Sequence, residues 1–278
     1  MAQRFIRPVL AAFLAALLST SAAHSQSTTR PALLDYGAIQ HPVRAERAMV
    51  VSQNVIASKV GADILKRGGN AVDAAVGVGF ALAVTLPRAG NLGGDGYMLV
   101  HIAETAETLV VDYRSIAPMA ADVGLFSESA GGDPTDLRRG YRASGVPGTV
   151  AGLEAAHRRW GRLPWAEVVR PARHLAEDGV VLSRDEAEGL AWSRPMWEPY
   201  AAGRQAFLKA DGSDYAAGER FVQPDLGWTL SQIEQGGRRL LSRGGGRSDR
   251  RLHGQKQWSD HQGGSRRLST RISRADRG

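Results

Sequence analysis

The sequence predicts a domain of the α/β or α+β class, because helical and extended segments alternate along residues 45–237. Apolar residues recur at three- and four-residue spacing over Ile56–Leu65, which is typical of an amphipathic helix. Two runs rich in β-branched residues, Tyr97–Ile102 and Thr108–Tyr113, indicate a hairpin. A further amphipathic pattern over Leu163–Asp178 predicts another helix.

The segment before the hairpin predicts one short strand and two helices. Ala48–Val55 is mostly β-forming and is predicted to be extended. The helix that follows is expected to end at Gly68–Gly69, since glycine is common after the last helical turn. Asn70 is a suitable cap for a second helix, with Asp73 in its first turn. Pro87 is expected to end that helix.

Glycine also marks the loop before the hairpin. Gly93–Gly96 does not fit a phosphate-binding motif, and we interpret it as backbone packed closely near a site.

A turn at Pro147–Gly148 precedes a helix that runs to Trp160. The aromatic stretch Trp192–Tyr215 is predicted to be irregular, and Leu226–Glu234 to be a last short helix.

The N-terminus has the pattern of a secretory signal. Two arginines precede a ten-residue apolar run, Val9–Leu18, and small residues follow it. A membrane anchor is the alternative, but ten residues are too few to cross a hydrocarbon core of about 30 Å. We therefore expect a signal peptide at 1–25, a linker at 26–44, and a periplasmic or secreted protein without a stable membrane anchor.

The basic charge is confined to the C-terminal segment. The 278 residues carry a net charge of +7 and no cysteine, which excludes disulfides and thiolate sites within them. Residues 238–278 contain 11 Arg, one Lys and three Asp, so they carry +9 and residues 1–237 carry −2. We predict a disordered basic tail at 238–278. Binding of nucleic acid or anionic lipid by this tail is an alternative, but the near-neutral remainder favours no nucleic-acid partner.

Five segments in one order resemble the large-subunit region of γ-glutamyltransferases and their acylase-like relatives. They are Arg67–Ala75, Asn91–Val100, Val111–Pro118, Ala143–Trp165 and Val168–Ser183. The resemblance covers about residues 45–237. It implies an α+β fold of the N-terminal-nucleophile type, a four-layer αββα sandwich, of which only the large-subunit part is expected here.

The resemblance also implies an activity. The family's precursors cleave themselves ahead of a threonine, which begins a small subunit and attacks the γ-amide of glutathione or of a similar γ-glutamyl or acyl amide. Neither a metal nor an organic cofactor is implied. We expect no catalytic residue in this chain, which would be inactive without the missing small subunit.

Arg114 is the one site residue that the resemblance places on this chain, as the group that binds the substrate α-carboxylate. A planar guanidinium suits that role because it can donate two parallel hydrogen bonds. A structural ion pair at a strand end is the alternative. Asp112 either orients Arg114 or faces outward. Asp95 stands where many transferases have glycine, and by resemblance this departure indicates the hydrolase or acylase-like branch. Its carboxylate is expected to repel an anionic substrate if it points inward.

Three histidines, His101, His157 and His174, lack the spacing of metal ligands. The last two are predicted to be solvated. A non-catalytic secreted carboxylate-binding protein remains a second class of function for this chain.

The tail is also compatible with a shifted reading frame. Codons permitted for Arg238–Gly244, read one base later, encode Ala-Ala-Phe-Tyr-Arg-Gly. Codons permitted for Gln255–Leu268, read in the same shifted frame and continued with T, encode Lys-Asn-Asn-Gly-Leu-Ile-Thr-Lys-Ala-Asp-Leu-Ala-Ala-Tyr. Both phrases are similar to the family's continuation, so residues from about 238 are hypothesised to be a frameshift product.

Overall fold

A computed structural model describes residues 43–118, residue 121, residues 143–236 and the backbone of 271–274. Residues 43–46 belong to a first unit and are irregular, whereas the chain from Arg47 onward forms a second unit. The predicted signal peptide and most of the predicted linker lie outside the described residues. Within the described ranges, no helix is long and apolar enough to cross a membrane.

The first helix, α1 (Val55–Lys66), begins at Asn54, whose side chain accepts hydrogen bonds from the next turn. It ends at Lys66, and the predicted stop at Gly68–Gly69 follows the cap residue Arg67, with Gly68 in the left-handed region at φ +93°. The predicted strand at Ala48–Val55 is wrong. This segment is irregular up to the helix cap, and no strand among the described residues pairs with it.

The second helix, α2 (Ala71–Thr85), lies at the centre of the described core. Asn70 and Asp73 form a reciprocal capping box at its start. Buried residues lie on every side of this helix, including the fully buried Phe80. A helix that is apolar all round must be covered on several sides, and α1 is one of the elements that cover it.

The hairpin forms as predicted. Strand β1 (Tyr97–Ile102) pairs antiparallel with β2 (Glu107–Asp112), with Tyr97 opposite Asp112. Val100 and Val111 point into the core, whereas Leu99 is 69% exposed on the opposite face of the sheet. The hairpin therefore presents one buried and one open face.

Two predicted helices follow the hairpin. Helix α3 (Thr149–Trp160) and helix α4 (Trp165–Asp178) both pack against α2. The side chain of Trp165 packs edge-on against Phe80 at 5.6 Å between ring centroids. The central helix is thus buried between its neighbours.

The aromatic stretch predicted to be irregular is largely helical. After the short strand β3 (Val180–Val181) come α5 (Arg184–Trp197) and α6 (Ala201–Phe207). Ser183 caps α5 by accepting the backbone N–H of Glu186 at 3.2 Å. This local cap outweighs the proline within the helix, which lies in its last turn where few backbone hydrogen bonds are lost.

The remaining elements close the unit. Strand β4 (Arg220–Phe221) pairs with β3, and α7 (Pro224–Gly236) packs against α4. Strand β5 (Arg271–Arg274) pairs antiparallel with β2. These four residues depart from the predicted disordered tail, because β2 offers an edge of backbone groups to pair with. The rest of 238–278 lies outside the described residues. The mixture of helices and antiparallel strands agrees with the α+β prediction.

Candidate carboxylate-binding site

Backbone hydrogen bonds bring three segments together at the open end of the hairpin. The carbonyl of Gly94, before β1, accepts the N–H groups of Gly148 and Thr149 at 3.0 and 3.1 Å. The carbonyl of Gly96 accepts the N–H of Tyr113 at 3.1 Å, just after β2. The glycine loop, the end of β2 and the start of α3 thereby form one local structure.

Two of the glycines are required by close approach. A Cβ atom on Gly148 would lie 2.0 Å from the carbonyl oxygen of Tyr113, and one on Gly152 would lie 2.2 Å from Cγ of the same tyrosine. Real contacts of this kind do not occur, so any side chain here would displace Tyr113.

Within the loop Gly93–Gly96, a Cβ on Gly94 would lie 2.7 Å from Oδ1 of Asn91 and one on Gly96 would lie 3.1 Å from the Tyr113 ring, whereas one on Gly93 would meet nothing closer than 3.8 Å. Close packing therefore holds for Gly94 and Gly96 and not for Gly93.

Asp95 and Arg114 form an ion pair at this point. Atom Nη1 of Arg114 donates to Oδ1 of Asp95 at 2.7 Å. The other carboxylate oxygen, Oδ2, accepts the backbone N–H of Ser115 at 3.0 Å and also the hydroxyl of Ser115. The side chain of Arg114 is 56% exposed, whereas that of Asp95 is only 18% exposed.

These contacts act on the titration of the site. The hydroxyl and then the backbone N–H of Ser115 hold the pKa of Asp95 below its ordinary value of 3.8, with the Arg114 guanidinium contributing in the same direction. Burial raises the pKa of Tyr113, and the charge of Asp95 adds to that shift. Asp95 is therefore a carboxylate and Tyr113 a neutral phenol at neutral pH.

The geometry leaves Arg114 able to bind an anion. Its guanidinium has five N–H groups, of which the described residues engage one at Nη1. The edge formed by Nε and Nη2 has no partner within the described ranges, and it could donate two parallel hydrogen bonds to a carboxylate. The arrangement is suited to holding an anionic group.

The other predicted residues are dispersed. Asp112 accepts the backbone N–H of Arg114 at 3.0 Å, so it fixes the backbone and does not contact the guanidinium. His101 hydrogen-bonds Thr108 across the hairpin at 3.0 Å. His174 is exposed, as predicted.

The prediction for His157 is wrong, because its ring is not solvated. The side chain is 12% exposed and lies 2.9 Å from the carbonyl oxygen of Leu163 and 3.5 Å from Oδ1 of Asp73. The last turn of α3 packs against the start of α2, which encloses the ring. Its role in the structure is to connect these elements.

Sequence reasoning missed Ser115 altogether. Its hydroxyl and N–H both hold Asp95, yet a serine after an arginine carries no motif of its own. The pairing of Asp95 with Arg114 did have a signal, because the predicted hairpin places residues just outside its two ends next to each other.

Comparison with known proteins gives a consistent result. A family model described as Gamma-glutamyltranspeptidase matches residues 57–246. The glutathione hydrolase proenzyme of Escherichia coli (strain K12) is 40% identical over 228 residues, which are 81% of this chain and 39% of that protein. This chain therefore spans about two fifths of the length of that relative.

Two solved structures share the fold. The gamma-glutamyltranspeptidase of Helicobacter pylori is 40% identical with a TM-score of 0.69, over 71% of this chain and 57% of that one. The gamma-glutamyltranspeptidase from Pseudomonas nitroreducens, solved in complex with L-DON, is 32% identical with a TM-score of 0.70, over 84% and 67%. The likeness confirms the predicted α+β fold of the N-terminal-nucleophile type.

Proposed function

Because this chain belongs to the gamma-glutamyltranspeptidase family, we propose that it supplies the carboxylate-binding side of an active site that acts on γ-glutamyl compounds. The proposed reaction transfers the γ-glutamyl group of glutathione, or of a similar amide, to water or to an amino acid. The chain spans only 39% of its Escherichia coli relative, so the activity is proposed for the complete protein. We also propose export to the periplasm or the exterior.

A single observation carries the proposal, namely the position of Arg114. It lies two residues after the end of β2, its side chain is half exposed, and the described residues leave the Nε and Nη2 edge open. A guanidinium held by a fixed backbone can bind an α-carboxylate with two parallel hydrogen bonds. Asp112 supplies that backbone anchor.

The proposed chemistry is acyl transfer through a threonine. The threonine hydroxyl attacks the γ-carbonyl carbon, its own α-amino group takes the hydroxyl proton, and the amine leaves with a proton. An ester remains, which water or an acceptor amine then attacks. Arg114 is proposed to fix the α-carboxylate, so that the γ-carbonyl lies at a defined distance from the nucleophile. A small subunit of the same precursor is the proposed source of that threonine.

Calorimetry on the 278-residue chain tests this proposal. We expect glutamate and glutathione to bind, and the substitution Arg114→Ala to weaken binding by about tenfold or more, since a charge-assisted pair is lost. Arg114→Lys should also weaken binding, because an ammonium cannot reproduce the planar two-point contact. Arg170→Ala is the control, as Arg170 is half exposed and pairs with Glu234, which Arg173 also holds. Equal affinity for the wild type and Arg114→Ala would contradict the proposal.

A second candidate is hydrolysis of an acyl amide whose acyl group has no free carboxylate. It is favoured by the ion pair between Asp95 and Arg114, which already neutralises the guanidinium.

A further inference from the structure

We propose that Asp95 is a specificity-determining residue, which competes with a substrate carboxylate for Arg114 and so weakens the affinity of the site for that carboxylate. The inference rests on the proposed function, because it takes Arg114 to be the group that meets the acyl part of the substrate. It goes further because it says how the site discriminates among ligands, and it names Asp95 as the residue responsible.

Asp95 is held too firmly to move aside. Its Oδ1 atom lies 2.7 Å from Nη1 of Arg114, and its Oδ2 atom accepts both the N–H and the hydroxyl of Ser115. A substrate carboxylate that displaced Asp95 would leave the N–H and the hydroxyl of Ser115 without their acceptor. Water reaches this position poorly, because the Asp95 side chain is only 18% exposed. An incoming carboxylate must therefore bind Arg114 while Asp95 remains in place.

The charges at the site oppose a second anion. Asp95 already places one carboxylate against the guanidinium, with Oδ1 at 2.7 Å from Nη1. A ligand carboxylate on the open edge of the same guanidinium would add a second negative charge within a few ångströms. Like-charge repulsion at such distances weakens binding, whereas a neutral acyl group would not meet this penalty.

The loop holds Asp95 in this position by its backbone. Gly94, directly before Asp95, accepts two N–H groups from the start of α3, and Gly96, directly after it, accepts the N–H of Tyr113. The carboxylate is thus presented to Arg114 by a backbone fixed on both sides. A flexible surface ion pair would form and break freely, but this one is built into the loop.

The experiment compares carboxylate affinities by calorimetry on the full 278-residue chain. The probes are glutarate, which has two carboxylates and no ammonium, and glutamate, which has both. We expect Asp95→Asn to bind glutarate and glutamate roughly tenfold more tightly than the wild type, because one like charge is removed. Adding Arg114→Ala to Asp95→Asn should abolish the gain, which would show that it acts through the guanidinium.

Asp185→Asn is the matched control, since it removes one carboxylate from a surface pair with Arg88, and its affinity should equal that of the wild type. Circular dichroism establishes folding. Should Asp95→Asn not fold, Ser115→Ala serves instead. It removes one of the two hydrogen bonds to Oδ2 of Asp95 but keeps the charge, and a tightening of about twofold to fivefold is expected, because Asp95 is then held less firmly against Arg114.

Unchanged or weaker glutarate binding by the folded Asp95→Asn variant would overturn the inference and indicate that Asp95 positions Arg114. Tighter glutarate but weaker glutamate would also overturn it, because Asp95 would then bind the ligand ammonium. In both cases the proposed function stands if Arg114→Ala still weakens wild-type binding. If Arg114→Ala has no effect in either background, the proposed function fails as well.

Discussion

The backbone N–H of Arg162 donates to both carboxylate oxygens of Asp73, at 3.1 and 3.0 Å. Asp73 is fully buried in the first turn of α2, and it also accepts the N–H groups of Asn70 at 2.9 Å and Leu163 at 3.4 Å. One side chain therefore joins the start of α2 to the connection between α3 and α4. Of these helices, α3 also contacts the Arg114 site, because the N–H groups of Gly148 and Thr149 at its start donate to the carbonyl of Gly94.

Replacing Asp73 with alanine is expected to lower the free energy of unfolding by about 3 kcal/mol, because it removes a helix cap and leaves buried N–H groups without an acceptor. Urea unfolding measures the change. The control is Asp63→Ala, which breaks only an exposed pair with Lys66 and should shift stability by less than about 1 kcal/mol. Equal effects of the two substitutions would contradict the assigned role of Asp73.

The close contact of Gly148 with Tyr113 gives a second prediction. Gly148→Ala would place a Cβ 2.0 Å from the carbonyl oxygen of Tyr113, so we expect a loss of about 1–3 kcal/mol in stability from overpacking. Because Tyr113 precedes Arg114, glutamate binding should weaken too. Gly93→Ala is the matched control, since its Cβ would meet nothing closer than 3.8 Å. A Gly148→Ala protein with wild-type stability would refute the packing account.

Glu186 gives a prediction about pH. It is 5% exposed, and its Oε2 has no hydrogen-bond partner among the described residues. Burial raises the pKa of Glu186 above its ordinary 4.5, with Asp185 adding to the shift and Arg88 opposing it. The folded protein thus keeps this proton to higher pH than the unfolded chain does. Stability from this group is greatest below pH 4.5 and declines as pH rises through the folded-state pKa.

We therefore expect Glu186→Gln to raise the melting temperature at pH 7, with a gain that shrinks as the pH is lowered toward 4.5. Glu188 lies on the exposed face of the same helix, so Glu188→Gln should leave the melting temperature unchanged at pH 7 and at pH 4.5. Thermal unfolding followed at both pH values measures this. A gain that does not depend on pH would show that the ionised carboxylate is not the cause.

Local signals account for the elements that the sequence predicted well. The cap at Asn70 with Asp73, the glycines after α1 and the alternation in β1 each act within a few residues of the chain. The segment Ala48–Val55 has the composition of a strand, but a strand needs a partner, and pairing is not visible in local composition. Helix α5 was not predicted, because its aromatic residues and Pro195 are uncommon in helices and outweighed the capping signal of Ser183.

The site was only partly predictable. The resemblance located Arg114, and the departure from glycine at Asp95 drew attention to that residue. Their contact follows from the hairpin register, which pairs Tyr97 with Asp112 and so brings the flanking residues together. The two hydrogen bonds from Ser115 depend on the exact path of the chain after β2, and no sequence pattern specifies that path.

The central proposal is that this chain contributes the carboxylate-binding residues of the site, and that a small subunit of the complete protein supplies the attacking threonine. The most direct measurement is release of p-nitroaniline from γ-glutamyl-p-nitroanilide by the purified 278-residue chain, at concentrations where glutamate binds. We predict no release above the buffer rate. Release that scales with protein concentration and is lost in Arg114→Ala would contradict the claim, because the chain would then possess its own nucleophile.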